Sequence, residues 1–277
     1  MVVWLVFLIS VLGGAGSALA QDLNSCLACH QHCHGEVVWQ RDSVVPLVCT
    51  QCHRGNNRTT RKTISHHFLI DAAHAWYRLP LSRVYLDGKK RIDQLSCRRC
   101  HLQNKQGNTL AINLDQLLAT ASVDEIETAL RVSALYMPNF SISQGDLIAL
   151  VTQVLAGGLA APPVSGSAPV VVHFEDNIKS EHLFVKHCGV CHRVLTHHQG
   201  GLGHGLIGPN LSGLFTPFYP ATAKDGQHWT REAVVVWLKN PRKIRPLTRM
   251  PPVTLINDEA LMLVDATWPP LDALMVE

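Results

Sequence analysis

Residues 188–192 read Cys188-Gly189-Val190-Cys191-His192, and the pattern occurs three more times, as Cys26-Leu27-Ala28-Cys29-His30, Cys49-Thr50-Gln51-Cys52-His53 and Cys97-Arg98-Arg99-Cys100-His101. Each copy has two cysteines separated by two residues, with a histidine directly after the second. Two thiols at this spacing can add across the two vinyl groups of one haem, and the adjacent histidine then stands beneath the iron as proximal ligand. Zinc pairs do not require a histidine after every second cysteine. A thioredoxin-like redox pair would not recur four times, and disulfides leave the histidines unexplained. The pattern therefore reads as four covalently attached haem c groups. Their attachment residues are Cys26, Cys29, Cys49, Cys52, Cys97, Cys100, Cys188 and Cys191, and their proximal ligands are His30, His53, His101 and His192.

This reading also accounts for the composition. The chain of 277 residues is 47% hydrophobic but only 6% aromatic. A haem is a large flat apolar body that replaces part of an aromatic core, and its covalent bonds restrain the unfolded chain much as a disulfide does. The ordinary apolar fraction excludes a fully disordered chain. A net charge of +3 excludes a strongly polyanion-seeking protein, so no nucleic-acid partner is expected. Met1 to Ala20 carries no charged side chain, is apolar but for Ser10 from Val2 to Leu12, and ends in Ala18-Leu19-Ala20. That is the pattern of a signal peptide over 1–20, with Gln21 as the first mature residue; the alternative is an uncleaved N-terminal anchor. The expected product is exported, periplasmic or otherwise, and soluble after cleavage.

On the four motifs the chain resembles multihaem c-type cytochromes. The C-terminal portion carries further landmarks. A short helix is expected from Asn177 to His187, leading into Cys188 with Leu183 and Phe184 on its haem side. Gly208-Pro209-Asn210-Leu211 follows the motif, then a helix from Thr230 to Leu238, then Met250-Pro251, then a helix from about Asp258 to Thr267 capped by Asn257. This order resembles a class I cytochrome c. The resemblance implies His192 as proximal ligand, Pro209 as its support and Met250 as distal ligand, over a domain spanning 173–277. His197, His198 and His204 are rival ligands that read better as loop histidines.

A second, weaker resemblance precedes it in 91–155. Ser122-Val123-Asp124-Glu125 reads as a capping box, Met137-Pro138 follows, and Ser143 opens an apolar helix to about Leu155. The resemblance implies His101 and Met137 as an axial pair, although no amphipathic helix is evident before Cys97 and no Gly-Pro follows His101. Between the two segments, 156–172 is small, Gly/Pro/Ser-rich and uncharged, and reads as a linker that lets the last domain dock separately.

The region 21–90 reads as a dihaem unit with little regular pattern. His32, His34, His66, His67 and His74 compete for its two distal positions. A short helix from Ser65 to Tyr77 would put His67 and His74, seven apart, on one face. Cys33 is the cysteine left over: a free thiol, an intermolecular disulfide partner or an axial thiolate. The expected fold class is mainly α with much irregular loop, a haem-organised N-terminal region being followed by class I-like helical segments. The expected function is electron transfer in a respiratory or similar chain. Methionine ligation would place the Met137 and Met250 haems at higher potential than the N-terminal pair. Lys239, Arg242, Lys243, Arg245 and Arg249 precede Met250 and suit an acidic redox partner, with a membrane-bound oxidoreductase complex among the expected partners. The alternative is a haem enzyme acting on a small sulfur, nitrogen or peroxide substrate at an open or Cys-ligated haem.

Overall fold

Good caps set ahead of apolar positions at helical spacing make most of the regular structure helical. The computed structural model describes residues 25–30, 49–133, 136–161, 181–255 and 258–269. The expected signal peptide, Cys33, His32 and His34 lie outside these residues, as does most of the expected linker. The chain divides into two units, one of residues 1–51 and 55–67, the other of 52–54 and 68–277.

Three short helices come first: α1 (Ser25–Cys29), α2 (Cys49–His53) and α3 (Lys62–Ser65). In the first unit, the Ser25 hydroxyl sits 2.6 Å from Asn57 O and 2.9 Å from Thr59 O, which ties the start of α1 to the 57–59 loop.

The expected helix from Ser65 to Tyr77 does not form. Helix α3 ends at Ser65, Phe68 takes a left-handed backbone with φ of 52°, and regular structure resumes only in a 3-10 turn, Ala75–Arg78. The Ile70 amide donates to His53 O rather than to a helical partner. His67 and His74 therefore do not share a helical face.

The second unit then builds α4 (Arg83–Gln94), a 3-10 turn at Cys97–Arg99, and a two-stranded antiparallel ribbon of β1 (Leu102–Gln103) and β2 (Gln106–Gly107). A 3-10 turn (Leu114–Gln116), α5 (Leu117–Thr120), α6 (Val123–Arg131) and α7 (Gln144–Gly157) follow. The capping box on α6 forms as expected: Ser122 Oγ accepts from Glu125 N while the Glu125 carboxylate accepts from Ser122 N. Ser143 caps α7 in the same way through Asp146 N.

Helix α4 is the amphipathic helix that the sequence did not reveal before Cys97. Its inward face carries Gly88 and Ile92, with Tyr85 against the same core, and the rest of the helix is so rich in charged residues that it reads as polar overall. Gly88 lies against α7, where a Cβ would collide with the Ala149 carbonyl. Gly88→Ala should therefore push α4 and α7 apart and destabilise the protein by about 1–3 kcal/mol, as overpacking does. Thermal unfolding of the haem-loaded protein checks this, and an unchanged midpoint would show that the helices shift freely. Around this pair Tyr77, Leu114, Ile126, Leu147, Val151 and Leu155 form one core.

The C-terminal part contains α8 (Leu183–His187), an antiparallel ribbon of β3 (Val194–Thr196) and β4 (Gly200–Leu202), α9 (Arg231–Lys239), α10 (Pro241–Ile244) and α11 (Glu259–Thr267). Thr230 caps α9 by accepting from Ala233 N, and Asn240 caps α10 by accepting from Lys243 N. Asp258 precedes α11 without a side-chain cap bond, and Asn257 lies outside the described residues. Phe184, Cys188, Leu202, Leu214, Leu238 and Leu263 form a second core, with Met250 packed against it. Ala156 and Gly157, assigned to the linker from composition, are the buried end of α7. Among the described residues no helix is long and apolar enough to cross a membrane.

Candidate haem sites

Three of the four motif histidines are oriented by the same device. His53 Nδ1 lies 2.7 Å from Ile70 O, His101 Nδ1 lies 2.7 Å from Ile112 O, and His192 Nδ1 lies 2.8 Å from Pro209 O. A carbonyl can only accept, so each Nδ1 carries the proton and each Nε2 keeps its lone pair for a metal. A hydrogen bond of this kind fixes tautomer and ring orientation and raises ligand basicity. The geometry therefore suits all three rings to iron.

At His192 the local sequence explains the geometry. Gly208 packs against the imidazole so closely that a Cβ would collide with the ring, and Pro209 then presents its carbonyl to Nδ1. Here glycine gives the ring space and the next residue supplies the acceptor. No Gly-Pro follows His101, and Ile112 serves instead.

The His101 site is a cavity of about 470 Å³, within the range of cofactor pockets, about 300–1,000 Å³. Cys97, Cys100, His101 and Met137 all line it, with Ile126, Leu150 and Leu195 among its apolar walls. Two thiols, one imidazole and one thioether around an apolar slot are what a covalently held haem requires, so the residues present fit the group. Burial pushes the Cys97 thiol up to about 12 despite the Arg99 charge nearby, and raises Cys100 as well. Burial and the neighbouring Cys191 push Cys188 up to about 11. Such thiols stay protonated at neutral pH and are poor thiolate nucleophiles or metal ligands by themselves. None of the eight motif cysteines is in a disulfide. Among the described residues no group of three or more His, Cys, Asp or Glu converges on one point, so they do not form a four-ligand zinc site.

Met250 sits half-buried on the same core as Cys188. Trp237 Nε1 lies 3.0 Å from Met250 Sδ. Trp229 meets the Trp237 ring edge-on at 5.5 Å, and the Arg245 guanidinium lies 5.5 Å from that ring. The basic residues Lys239, Arg242, Lys243, Arg245 and Arg249 are all exposed.

In the first unit, the His30 and His66 ring centroids are 6.1 Å apart, with their planes inclined by 29°. His67 is exposed beside His66. His74 is placed differently. It is 3% exposed, with Nδ1 2.8 Å from Asp71 Oδ1 and Nε2 3.1 Å from Glu127 Oε1, the latter outside hydrogen-bond angles. Burial pushes Asp71 up, but the hydrogen bond and charge of His74 outweigh it and hold the carboxyl below its usual range. Both His74 nitrogens thus face carboxylates. The structure brings together His101 with Met137 and His30 with His66, and sets His74 apart from the His101 cavity. Ile70, Ile112, Trp237 and Leu195 are the contributors that sequence reasoning missed. Two of them act through backbone carbonyls, which leave no side-chain signature.

No family model matches the chain, and no solved structure matches it. Among curated proteins, cytochrome c of Stellaria longipes is 33% identical over 85 residues, which cover 27% of this chain and 73% of that protein. With the paired thiols and the carbonyl-held histidines, this similarity shows that the chain belongs to the cytochrome c family.

Proposed function

We propose that this protein is an exported tetrahaem c-type cytochrome that passes electrons between redox partners and turns over no substrate of its own. The observation that carries the reading is the shared orientation of His53, His101 and His192, each with Nε2 left available, at three separate Cys-x-x-Cys-His motifs. Bound haem supplies one-electron redox chemistry at each motif. The residues of the chain supply attachment through the paired thiols, axial donation from the motif histidines, and an apolar wall that excludes water.

The distal ligands in this reading are Met137 for the third haem and Met250 for the fourth, with His66, whose ring lies beside that of His30, a candidate in the first unit. For the second haem His32, His34, His67 and His74 remain the sequence candidates, and the carboxylates around His74 argue against that one. Methionine ligation raises potential relative to bis-histidine, so electrons run toward the C-terminal region. The five exposed basic residues before Met250 suit an acidic docking partner, which a steep fall of association rate with ionic strength would reveal. The partners are redox proteins, including a membrane-bound oxidoreductase complex.

The test is a haem count by pyridine haemochromogen and intact mass, followed by low-temperature EPR and near-infrared magnetic circular dichroism. Four haems per chain are expected, with only low-spin bis-His and His/Met signals. A count below four overturns the tetrahaem assignment. A high-spin or thiolate-ligated component overturns the carrier reading in favour of a haem enzyme, with Cys33 the first residue to substitute.

A further inference from the structure

The loop that carries Met137 is held by the C-terminal part of the chain. Asn210 Nδ2 donates to Tyr136 O at 2.6 Å, and the Arg193 guanidinium donates to Met137 O at 3.2 Å. The Tyr136 hydroxyl donates to Gly203 O at 3.0 Å. Gly201 lets the Tyr136 ring lie against β4, since a Cβ there would collide with it.

Asn210 is bonded on every side. Besides Tyr136, its carbonyl accepts from Arg99 Nη1 at 3.2 Å and from the Tyr219 hydroxyl at 3.2 Å, and its Oδ1 accepts from Ser212 N at 2.9 Å. Arg99 lies between the two cysteines of the third motif. Asn210 directly follows Pro209, whose carbonyl holds His192, and Arg193 directly follows His192. The residues that hold the Met137 loop are therefore chain neighbours of those that form the proximal side of the fourth site. A thioether is uncharged and only a weak hydrogen-bond acceptor, so its ligation depends on a backbone that keeps it in place.

We propose that Asn210 and Arg193 are positioning residues for the third haem. By fixing the Tyr136 and Met137 carbonyls they keep the Met137 thioether at the His101 cavity. The axial ligation of the third haem then depends on the folded fourth-haem region. The proposal rests on the reading of Met137 as axial ligand, which its own variant tests separately.

The experiment uses the full-length haem-loaded protein, with near-infrared magnetic circular dichroism, EPR and a potentiometric titration of each variant. Met137→Ala should remove one of two His/Met signatures; if it removes neither, Met137 is not a ligand and both ideas fall. Given that loss, Arg193→Ala should lower the third haem's His/Met population several-fold and shift its potential down, with the fourth haem's signature retained. Arg193→Lys, which keeps a donor, should restore most of it, and Asn210→Ala should reproduce the loss. If Asn210→Ala does not mature, the Arg193 pair decides. Retention of both His/Met signatures with unchanged potentials in the Arg193→Ala protein overturns the positioning role. Loss of both together also overturns it, because that is general loosening rather than control of one ligand.

Discussion

Replacing Cys97 and Cys100 together by alanine should remove one haem and unfold the helical core around it. The cavity that those thiols line measures about 470 Å³. An unfilled apolar cavity costs about 24 cal/mol per Å³, so this one would cost about 11 kcal/mol if left dry. Whole-domain stabilities run at about 5–15 kcal/mol. The cavity mouth opens to solvent, so water fills part of it and the figure is an upper one. Even so, the loss reaches α4, α6 and α7, because Ile92, Ile126, Leu150 and Val154, among their inward residues, are walls of the cavity. The expected result is loss of one haem by mass, together with loss of slow amide exchange across residues 83–157. Loss of the haem with exchange protection unchanged would show that the helices close on themselves, and that the haem is a guest in a self-sufficient fold.

What the sequence conveyed and what it withheld follow from the kind of signal involved. Attachment motifs are local and written entirely in side chains, so each Cys-x-x-Cys-His motif is legible in one short string. Caps are equally local: Ser122, Ser143 and Thr230 each stand one residue before the helix that they start. The glycine before Pro209 is legible only with hindsight, since its need for space becomes visible once the His192 ring is beside it. The carbonyls of Ile70 and Ile112 were illegible because any residue has one. Helix α4 carries a clear helical period, and it was passed over because charged residues dominate its composition. The expectation for His67 and His74 relied on a period of seven in a stretch where Phe68 adopts positive φ, which breaks the helix that the period assumes. The contact between the Met137 loop and Arg193 and Asn210 spans more than fifty residues, and no window of sequence contains both sides.

The second large effect is expected at Met250. Met250→His should lower the potential of the fourth haem on the order of 0.1 V or more, inside the roughly 0.8 V span that axial ligation covers. A nitrogen donor stabilises the oxidised iron more than a thioether does, and haem-resolved potentiometry reads the change. Trp237 supplies a finer test of the same assignment. Its indole N–H lies 3.0 Å from the Met250 sulfur. A donor on that sulfur draws electron density away from the metal and favours the reduced state. Trp237→Phe removes the donor and keeps most of the ring that Trp229 and Arg245 pack against. If that hydrogen bond is worth about 1 kcal/mol more in the reduced state, the potential falls by about 40 mV, at 59 mV per tenfold for one electron. The two variants must agree in sign and differ in size. If Trp237→Phe lowers the potential while Met250→His leaves it unchanged, the indole acts on the haem by another route and Met250 is core packing. If Met250→His shifts it and Trp237→Phe does not, the ligand assignment stands and the indole hydrogen bond is equally strong in both oxidation states.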